Sequence, residues 1–402
     1  MILRDAAPQL ATLAQLYPVV SVTGPRQSGK TTLCRATFPH LPYVSLEPLD
    51  VREFARVDPR GFLAGYPDGV IIDEVQRAPD LLSYLQPEVD ERPAPGRFVL
   101  TGSQNLAVAA SVSQSLAGRT GTLELFPPSW AELKRFDSAP RDLFDVLWSG
   151  SYPRIFDRHI PAGQWLADYV ATYVQRDVRQ LVNVADLNTF SAFLRLCAGN
   201  TAGTVHLSRL GADSGVSHNT AKAWLSVLEA SYLVVRLPGW HPNARKQVVK
   251  AAKLHFVDSG LACYLLGIRE PDQLRTHPLR GAIFESWVVT EVLKQGAHAA
   301  RRPALSHYRD TAGLEVDLVV GEPPALILAE AKSGATVGSD FTQSVERLAK
   351  GLEKRDPLLN ATTRVVYGGA MRQSRGATDI IPWHAIDTVA WHGAATMPPP
   401  RS

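Results

Sequence analysis

"GPRQSGKT", residues 24–31, is the stretch that decides the fold of the N-terminal region. It fits the pattern G-x-x-x-x-G-K-[ST] and lies between the β-branched run "YPVVSVT" and the helical run "TLCRATF". Glycines at these positions let backbone N–H groups close around phosphate groups, and the N-terminus of the following helix adds positive charge. The alternative is a chance glycine-rich turn, which the strand-turn-helix context disfavours. The sequence therefore predicts a phosphate-binding loop.

The chemistry of such a loop assigns roles to its residues. Lys30 is expected to reach the β- and γ-phosphates of a nucleoside triphosphate, and Thr31 is expected to hold Mg²⁺. The residues predicted to bind the nucleotide are Gly24, Pro25, Arg26, Gln27, Ser28, Gly29, Lys30, Thr31 and Thr32, with Ser103 from a later strand.

Two acids follow the next buried run of the chain. In "GVIIDEVQRAP", Asp73 and Glu74 come directly after apolar residues, at the strand end where open α/β sheets bind ligands. Asp73 is expected to hold Mg²⁺, directly or through water, and Glu74 to orient or activate the attacking water. A GTPase of the Ras type has no second carboxylate there, so the pair favours ATP. For Glu74, capping of the next helix is the alternative.

A third strand and an arginine complete the N-terminal predictions. "VLTGSQ" ends with Thr101, Ser103 and Gln104, which are positioned either to sense the γ-phosphate or simply to form a turn. Arg119 follows the helical run "LAVAASVSQSLAG" and precedes the strand "TLELF". It is a candidate arginine finger for a neighbouring subunit, which would require a homo-oligomer, although a helix C-terminus also favours arginine through its dipole.

Length and composition limit the class of protein. A chain of 402 residues is too long for one ordinary core and predicts two or three domains. No apolar run approaches the ~18–20 residues of a membrane helix, and the start "MILRDAAPQLATL" lacks a signal-peptide pattern, so we expect a cytoplasmic protein. The separated Cys34, Cys197 and Cys263 disfavour a disulfide scaffold or a zinc site. With a net charge of +3, nucleic-acid binding must be argued from local clusters.

Several motifs carry a family resemblance. In chain order they are "GPRQSGKTTL", "IIDEVQRAPDLL", "LTGSQN", "SLAGR", "YVQRDVRQL", "HFVDSGLACYLLG", "GAIFESWVV", "EVDLVV" and "AEAKSG". Together they resemble the AAA+ ATP-binding proteins of bacteria and archaea whose C-terminal half is the DUF4143 region. The resemblance spans residues 20–334 and implies an ATP site on an AAA+ fold more than a biological role.

The middle of the chain has the order of a winged helix-turn-helix. "HLSRLGADSGVSHNTAKAWLSVLEASYLVVRLPGW" reads as helix, turn, helix and strand. A buried stripe is predicted at Ala221, Trp224, Leu225, Leu228 and Leu233, and exposed groove-reading positions at Ser217, His218, Asn219 and Lys222. Arg245, Lys246, Lys250 and Lys253 predict a basic wing over DNA phosphates. The alternative is a module for packing or oligomer contact.

The stretch "GLEVDLVVGEPPALILAEAK" predicts a hairpin with clustered charge. If the turn is Gly321 to Pro324, Asp317 pairs with Leu328 and Glu315 with Glu330. Glu315, Asp317, Glu330 and Lys332 then share one face, because strand side chains alternate. Carboxylates that lie this close together repel each other, so they need either raised pKa values or a cation between them. Mg²⁺ is the simplest such cation.

Glu285 extends this cluster. In "GAIFESWVVTEVL" it shares a helical face with Val288, Val289 and Val292, where a carboxylate needs a partner. A helical Glu, a strand Asp and E-x-K on the next strand resemble the PD-(D/E)xK nuclease fold. That resemblance implies that Asp317 and Glu330 bind the metal, with help from Glu285, and that Lys332 positions the water or stabilises the phosphate. An ordinary Glu and Lys cross-strand pair is the alternative.

These observations predict an α/β protein with several parts. They are a P-loop AAA+ ATPase domain with a parallel sheet at residues 1–135, a helical lid or connector at 136–200, a winged helix-turn-helix at 201–262, a PD-(D/E)xK nuclease-like α/β domain at 263–394 and a flexible tail at 395–402.

The favoured function is an ATPase that uses ATP and Mg²⁺ to control engagement with DNA, with cleavage by the C-terminal domain left open. The alternative is a non-cleaving, nucleotide-operated switch or adaptor that binds DNA or a protein. An RNA target is less favoured, since the sequence lacks an aromatic-rich RNA-binding motif.

Overall fold

The computed structural model describes residues 2–103, 116–174, 187–241, 251–301 and 304–392 of the protein. The N-terminal part is a five-stranded parallel sheet in the order β2-β3-β4-β1-β5. Its strands are β1 (Val19–Thr23), β2 (Tyr43–Ser45), β3 (Val70–Asp73), β4 (Phe98–Gly102) and β5 (Thr120–Glu124). The predicted parallel α/β sheet is confirmed.

Helices cover both faces of this sheet. They span Ala7–Leu16, Lys30–Thr37, Leu49–Val57, Pro59–Ala64 and Leu81–Glu91, with a 3₁₀ turn at Val75–Arg77. One apolar cluster, containing Val19, Val70 and Leu85, packs on one face, and a second, containing Val20, Val22 and Leu123, packs on the other. Every residue of β1 and β4 is buried, as expected for parallel strands covered on both faces. The helix predicted at residues 106–118 lies largely outside the described residues.

The middle part is mainly helical. Its helices span Trp130–Leu133, Leu143–Ser149, Pro153–Asp157, Ala162–Tyr169, Leu187–Gly199, Leu207–Ser214, His218–Ala230, Ser259–Leu265 and Pro271–Thr276, with a π turn at Val170–Val174. β6 (Val234–Leu237) and β7 (Lys253–Phe256) form an antiparallel ribbon. The predicted stripe from Ala221 to Leu228 is buried, and so is Leu233.

The C-terminal part is a mixed six-stranded sheet. Its strands are β8 (Leu305–Arg309), β9 (Glu315–Val320), β10 (Ala325–Lys332), β11 (Asn360–Tyr367), β12 (Gln373–Arg375) and β13 (Thr378–Pro382), in the order β12-β13-β11-β10-β9-β8. The helices Arg280–His298 and Gln343–Arg355 pack against it, and a 3₁₀ turn spans Trp383–Thr388. The helix Arg280–His298 also joins the core of the middle part through Ile283, Phe284 and Val288.

The predicted register of the β9–β10 hairpin is wrong by two residues. Leu328 pairs with Val319 rather than with Asp317, and Ile327 pairs with Val320. Ala325 and Leu326 pair with β11 instead of β9, so the connection runs from Gly321 to Leu326 and is longer than predicted. An even shift leaves each side chain on its predicted face, because the side-chain period of a strand is two.

Two further features concern the described parts of the chain. Cys34, Cys197 and Cys263 are free, buried thiols. None of the helices there is long and apolar enough to cross a membrane.

Candidate nucleotide site and a buried carboxylate cluster

The loop after β1 has the conformation its glycines predict. Gly24 has φ +144°, and a Cβ atom there would lie 2.1 Å from the carbonyl oxygen of Leu125. Gly29, with φ +96°, immediately precedes the helix Lys30–Thr37. A side chain at Gly24 would collide with backbone, and both φ values favour glycine. Residues 24–29 therefore form a tight turn between the strand and the helix N-terminus.

Lys30 is folded back into this loop. Its Nζ atom donates to the carbonyl oxygens of Gly24, at 2.9 Å, and Pro25, at 2.8 Å. Burial lowers the pKa of Lys30 to about 8. An anion at the loop would offer the ammonium a stronger partner than these two neutral carbonyls.

Asp73 and Thr31 come together as predicted. The Thr31 hydroxyl donates to Asp73 Oδ2 at 3.1 Å, and the Tyr43 hydroxyl donates to the same oxygen at 2.8 Å. Thr101 also donates to Asp73, so this polar residue of β4 contacts the acid rather than lying free in a turn. A hydroxyl and a carboxylate are oxygen ligands of the kind Mg²⁺ prefers, so Thr31 and Asp73 fit a bound Mg²⁺.

Glu74 lies beside this pair and is held by two neighbours. Its backbone is left-handed, with φ +57°, which is uncommon for a residue with a side chain. Gln76 Nε2 and the Ser103 hydroxyl, at 3.3 Å, both donate to Glu74 Oε2, and Gln76 also donates to Ser103 Oγ at 3.1 Å. Glu74 thus does not cap a helix through its side chain. Ser103 is brought to the predicted acid, while Gln104 lies outside the described residues.

A cavity of about 700 Å³ opens at this end of the sheet. Its lining includes Gln27, Gly29, Lys30, Thr31, Thr32 and Glu74 of the predicted site. Basic residues outnumber acidic ones: the lining contains Arg4, Arg26, Lys30, Arg154 and Arg158 but only Glu74 and Asp157 as acids. The volume falls in the usual range for small-ligand sites, and the charge favours an anionic ligand.

Sequence reasoning missed the residues that close this cavity from outside the sheet. Ile2 and Leu3 line it from the N-terminal segment, Phe136 from a turn, and Arg154 and Arg158 from the short helix Pro153–Asp157 and its end. No local pattern marks them, since only the fold of the N-terminal segment and of the middle part brings them to the loop.

Arg4 is a further residue of the cavity lining that sequence reasoning missed. Its guanidinium donates to Glu132 Oε1 at 2.9 Å, to the carbonyl oxygen of Ser28 at 2.7 Å and to that of Phe126 at 2.8 Å. Burial would raise the pKa of Glu132, but the adjoining His298 and Arg4 hold it well below its usual range. Ser129 and Glu132 form a capping box, and the S-x-x-E spacing was the only local signal for this acid.

Arg119 is not brought to its own phosphate-binding loop. It immediately precedes β5, and its carbonyl oxygen accepts from the N–H of Val19 at the start of β1, whereas the loop follows the end of β1. Its guanidinium donates to both carboxylate oxygens of Asp90, at 2.6 and 2.9 Å. A role toward a neighbouring subunit stays a prediction.

The C-terminal carboxylates converge, but around a lysine that was predicted elsewhere. Lys253 was placed in an exposed basic wing; instead it is 3% exposed. Its Nζ lies 2.8 Å from Glu285 Oε1, 2.6 Å from Glu315 Oε1 and 3.5 Å from Asp317 Oδ1. The prediction was wrong because Lys253, the first residue of β7, points toward acids of the helix Arg280–His298 and of β9 rather than toward solvent. Arg245, Lys246 and Lys250 lie outside the described residues.

Glu330 and Lys332 form the other half of this cluster. Lys332 Nζ lies 2.7 Å from Glu330 Oε2, and Asp317 Oδ2 accepts from the N–H of Ala331 at 3.0 Å. Burial and the charge of Asp317 raise the pKa of Glu330 to about 8. Burial and Asp317 also raise the pKa of Glu285 well above its usual range.

The cluster does not form an open metal site in this arrangement. Within the described ranges, no group of three or more His, Cys, Asp or Glu side chains has the geometry to hold a metal ion. The metal-binding roles of Glu285, Asp317 and Glu330 therefore stay predictions.

Comparisons with known proteins agree with this arrangement of the chain. Three family models match it: a AAA domain at residues 16–134, the domain of unknown function DUF8612 at 140–272 and the domain of unknown function DUF4143 at 280–386. Two relatives, uncharacterized protein Rv2008c of Mycobacterium tuberculosis and uncharacterized protein Mb2031c of Mycobacterium bovis, are each 32% identical over 326 residues. The match covers 79% of this chain and 70% of each relative.

Similarity to solved structures is weaker. A Walker-type ATPase of Pyrococcus abyssi matches with a TM-score of 0.42 and 16% identity, covering 65% of this chain and 94% of that one. PCH-2 of C. elegans matches with a TM-score of 0.26 and 14% identity, covering 56% and 68%. The family models and the two mycobacterial relatives identify the protein: the chain belongs to the family of AAA ATPase-like proteins that carry a C-terminal DUF4143 region.

Proposed function

We propose that this protein binds ATP with Mg²⁺ in the cavity at the phosphate-binding loop and hydrolyses the γ-phosphate. The observation that carries the proposal is the convergence of Lys30, Thr31 and Glu74 on one cavity at the C-terminal ends of the parallel strands, with Asp73 hydrogen-bonded to Thr31 behind it. In open α/β sheets this edge is where ligands bind. The excess of basic over acidic lining residues supports a triphosphate as the ligand.

Each residue has a distinct task in this proposal. The backbone N–H groups of the loop and the N-terminus of the helix Lys30–Thr37 bind the phosphates, and Lys30 leaves the carbonyls of Gly24 and Pro25 for the phosphate oxygens. Thr31 and Asp73 hold Mg²⁺, which neutralises charge on the β- and γ-phosphates when bound. Glu74 orients a water and accepts its proton as the water oxygen bonds to the γ-phosphorus and the bond to the β,γ-bridging oxygen breaks.

Two substitutions separate binding from turnover. Lys30→Ala is expected to abolish tight ATP binding, because it removes the buried ammonium at the loop. Glu74→Gln keeps the shape and size of the side chain, so it is expected to retain binding and lose turnover, by roughly 10²–10⁴-fold for the loss of a general base. Binding is measured by calorimetry and turnover by phosphate release. Equal residual hydrolysis in both variants would contradict the assignment.

We further propose that the nucleotide state controls engagement with DNA through the helix-turn-helix. Ser217, His218, Asn219 and Lys222 are all exposed at the start of the helix His218–Ala230, where a recognition helix contacts base edges. Ser217 caps this helix by accepting from the N–H of Thr220 at 3.1 Å, so its first turn is well formed.

The test is fluorescence anisotropy with duplex DNA at two salt concentrations, with and without ATP. Lys222→Ala is expected to weaken binding and reduce its salt dependence, since each phosphate contact contributes about one unit of the slope. Lys134→Ala, which removes an exposed lysine outside this helix, is the matched control. If neither nucleotide nor Lys222→Ala changes the affinity, the helix-turn-helix is a packing module.

Metal-dependent cleavage by the C-terminal part is a second candidate. The convergence of Glu285, Asp317, Glu330 and Lys332 favours it. Cleavage of linear, circular, single-stranded and forked DNA with Mg²⁺ or Mn²⁺, compared with Asp317→Ala and Lys332→Ala, decides between a nuclease and the non-cleaving switch. If the wild-type protein cuts DNA and both variants do not, the C-terminal part is a nuclease. If the wild-type protein cuts no more DNA than the two variants, the non-cleaving switch is supported.

A further inference from the structure

A second cavity, of about 600 Å³, lies between the middle part and the C-terminal sheet. Two aromatic residues line it, Trp240 after β6 and Tyr308 of β8, and their ring centroids are 6.2 Å apart. Arg309, at the end of β8, and Arg355, at the end of a helix, also line it. The described lining residues all lie between Thr204 and Arg355 in the chain, so this cavity is separate from the one at the phosphate-binding loop.

Backbone pairing holds the aromatic wall of the cavity in place. The segment after β6 runs alongside β8: the N–H of His307 donates to the Pro238 carbonyl at 2.9 Å, and the N–H of Trp240 donates to the His307 carbonyl at 2.6 Å. Trp240 is buried in the apolar cluster that contains Val316, whereas Tyr308 is half-buried at the edge of that cluster. A fixed aromatic surface with one partly open ring is suited to stacking of a flat ligand.

The charged residues of the lining favour an anion. Arg309 and Arg355 are both exposed, and the acid among the described lining residues is Asp310. Oδ1 of Asp310 accepts from two backbone N–H groups of the turn after β8, both at 2.9 Å, so this carboxylate is engaged within the turn. Arg309 lies 3.8 Å from Glu315, but its side chain stays 58% exposed and can contact a second anion. Arginines beside an aromatic ring can bind a phosphate and a base together.

The helix Gln343–Arg355 extends the positive charge away from the cavity. Three exposed basic residues share one of its faces, because positions spaced by three, four and seven residues align on a helix: Arg347, Lys350 and Lys354. At roughly 100° per residue, Arg355 lies beside this face, whereas the acids Glu346 and Glu353 lie about 160–180° around the helix from Arg355. Phosphates that flank a nucleotide in the cavity would therefore face basic side chains along this helix.

We propose that this cavity binds one unpaired nucleotide of a single-stranded nucleic acid, with the base against Tyr308 and the phosphate at Arg355 and Arg309. The strand continues along the basic face of the helix Gln343–Arg355. An unpaired base is required, since the bases of a duplex are stacked on each other and do not offer a face to a protein ring. The site is separate from both the helix-turn-helix and the ATP cavity, so it goes beyond the proposed function and does not depend on it.

The test is fluorescence anisotropy of a short labelled oligothymidylate mixed with the nucleotide-free protein. Tyr308→Leu keeps an apolar contact with Trp240 but removes the ring, and is expected to weaken binding by about fivefold or more. Arg355→Ala is expected to weaken binding and to lower the slope of log affinity against log salt by about 0.7, the share of one phosphate contact on a single strand. A strand of the same length that lacks bases is expected to bind the wild type and Tyr308→Leu equally.

Matched controls change the same residue types away from the cavity. Tyr84→Leu, at an exposed tyrosine of the N-terminal part, is expected to bind the oligonucleotide like the wild type. The same is expected of Arg372→Ala, at a pair with Asp379 beside the opposite edge of the C-terminal sheet. Lys222→Ala, in the helix-turn-helix, should weaken duplex binding only, and Tyr308→Leu single-strand binding only, so the two proposals fail independently.

Three results would overturn the proposal. One is a wild-type protein that binds oligothymidylate no more tightly than the strand without bases, because the cavity would then recognise charge alone. Another is wild-type affinity in both Tyr308→Leu and Arg355→Ala; if Tyr308→Leu does not fold, Arg355→Ala, at an exposed helix end, decides alone. The third is thymidine monophosphate that displaces the labelled strand at the same concentration as the unlabelled strand, because the ligand would then be a free nucleotide to which the basic helix contributes nothing.

Discussion

Arg4 and Glu132 form a buried ion pair, with 2.9 Å between Nε and Oε1, that attaches the N-terminal segment to the underside of the phosphate-binding loop. The same guanidinium donates to the Ser28 carbonyl within the loop. A charge buried this deeply is costly unless it is fully paired, and Arg4 has acceptors on three separate chain segments. The Arg4 side chain, which does not belong to the phosphate-binding pattern, therefore stabilises the loop through its hydrogen bond to the Ser28 carbonyl.

Arg4→Lys is predicted to destabilise the protein and weaken ATP binding. Lysine keeps the charge but lacks the planar, multi-donor geometry that contacts Glu132, Ser28 and Phe126 together. We expect a loss of about 2–3 kcal/mol in the free energy of unfolding, measured by urea titration, and a weaker affinity in calorimetry. Arg135→Lys, at a partly exposed pair with Asp5, is the control and should change stability by less than about 1 kcal/mol. Equal effects at the two positions would refute a special role for Arg4.

Gln76→Ala is predicted to raise basal ATP turnover. In this structure Gln76 donates to Glu74, so one oxygen of the proposed base is already occupied. Removing a hydrogen bond to a charged group releases about 1.5–3 kcal/mol of ground-state stabilisation, enough for a roughly tenfold or greater increase in rate. Turnover at saturating ATP is the measurement, with Gln343→Ala, at the exposed first residue of the helix Gln343–Arg355 in the C-terminal part, as control. A tenfold fall instead would mean that Gln76 positions Glu74 for reaction.

Arg119→Ala is predicted to lose ATPase activity and to recover part of it when mixed with Lys30→Ala protein. The reason is geometric: Arg119 lies at the start of β5, away from its own loop, so it can act only on a neighbouring subunit. Asp90→Ala, which removes the partner of Arg119 within the chain, should keep activity. Phosphate release is measured across mixing ratios, and an absence of recovery at every ratio would argue against a shared site.

His255 is predicted to make stability sensitive to acid. Burial, with the charges of Lys253 and His307, lowers the pKa of His255 to about 3, against a value near ~6.5 in the unfolded chain. Because the unfolded state takes up the proton first, this stabilisation is present above pH ~6.5 and is lost as the pH falls toward 3. Between pH 6.5 and 5.5 the loss should be about 1 kcal/mol.

Urea unfolding followed by tryptophan fluorescence measures this loss. His255→Gln should flatten the dependence on pH over that interval, because it removes one titrating group. His206→Gln, at an exposed position before the helix Leu207–Ser214, is the control and should leave the slope unchanged. An identical slope in the wild type and His255→Gln would contradict the prediction.

Local sequence was sufficient to place the loop and the two acids of the candidate nucleotide site, but not the residues around them. The loop from Gly24 to Thr31 is a single turn, so the residue pattern alone predicts its backbone geometry. The position of Asp73 is predicted by the rule that ligands bind at the C-terminal ends of parallel strands. The face of Asp317 was also predictable, because alternation along a strand survives a register error of two residues. These features depend on neighbours close in the chain.

The positions of Lys253, Arg4 and Arg154 depend on distant contacts, and for that reason Lys253 was assigned wrongly and Arg4 and Arg154 were missed. In "AAKLHF" nothing distinguishes a buried lysine from a solvated one, because its carboxylate partners lie on elements that follow much later in the chain. Arg4 finds Glu132 across 128 residues. Burial of a charged side chain is decided by where its partners lie, and a single sequence without a fold does not contain that information.

The helix Arg280–His298 makes a polar contact near each of its ends, and these two contacts together fix its length. Near its start Glu285 contacts Lys253, and at its end His298 Nδ1 lies 3.3 Å from Glu132 Oε2, next to the arginine beneath the loop. At a rise of 1.5 Å per residue, these two contacts are separated by roughly 20 Å along one unbroken axis. Inserting a single residue between them would turn one contact by about 100° relative to the other. The helix is therefore a spacer whose number of residues sets both the distance and the relative orientation of the two polar networks, so that an insertion or a deletion between Glu285 and His298 would separate two networks that a change of side chain would leave in register.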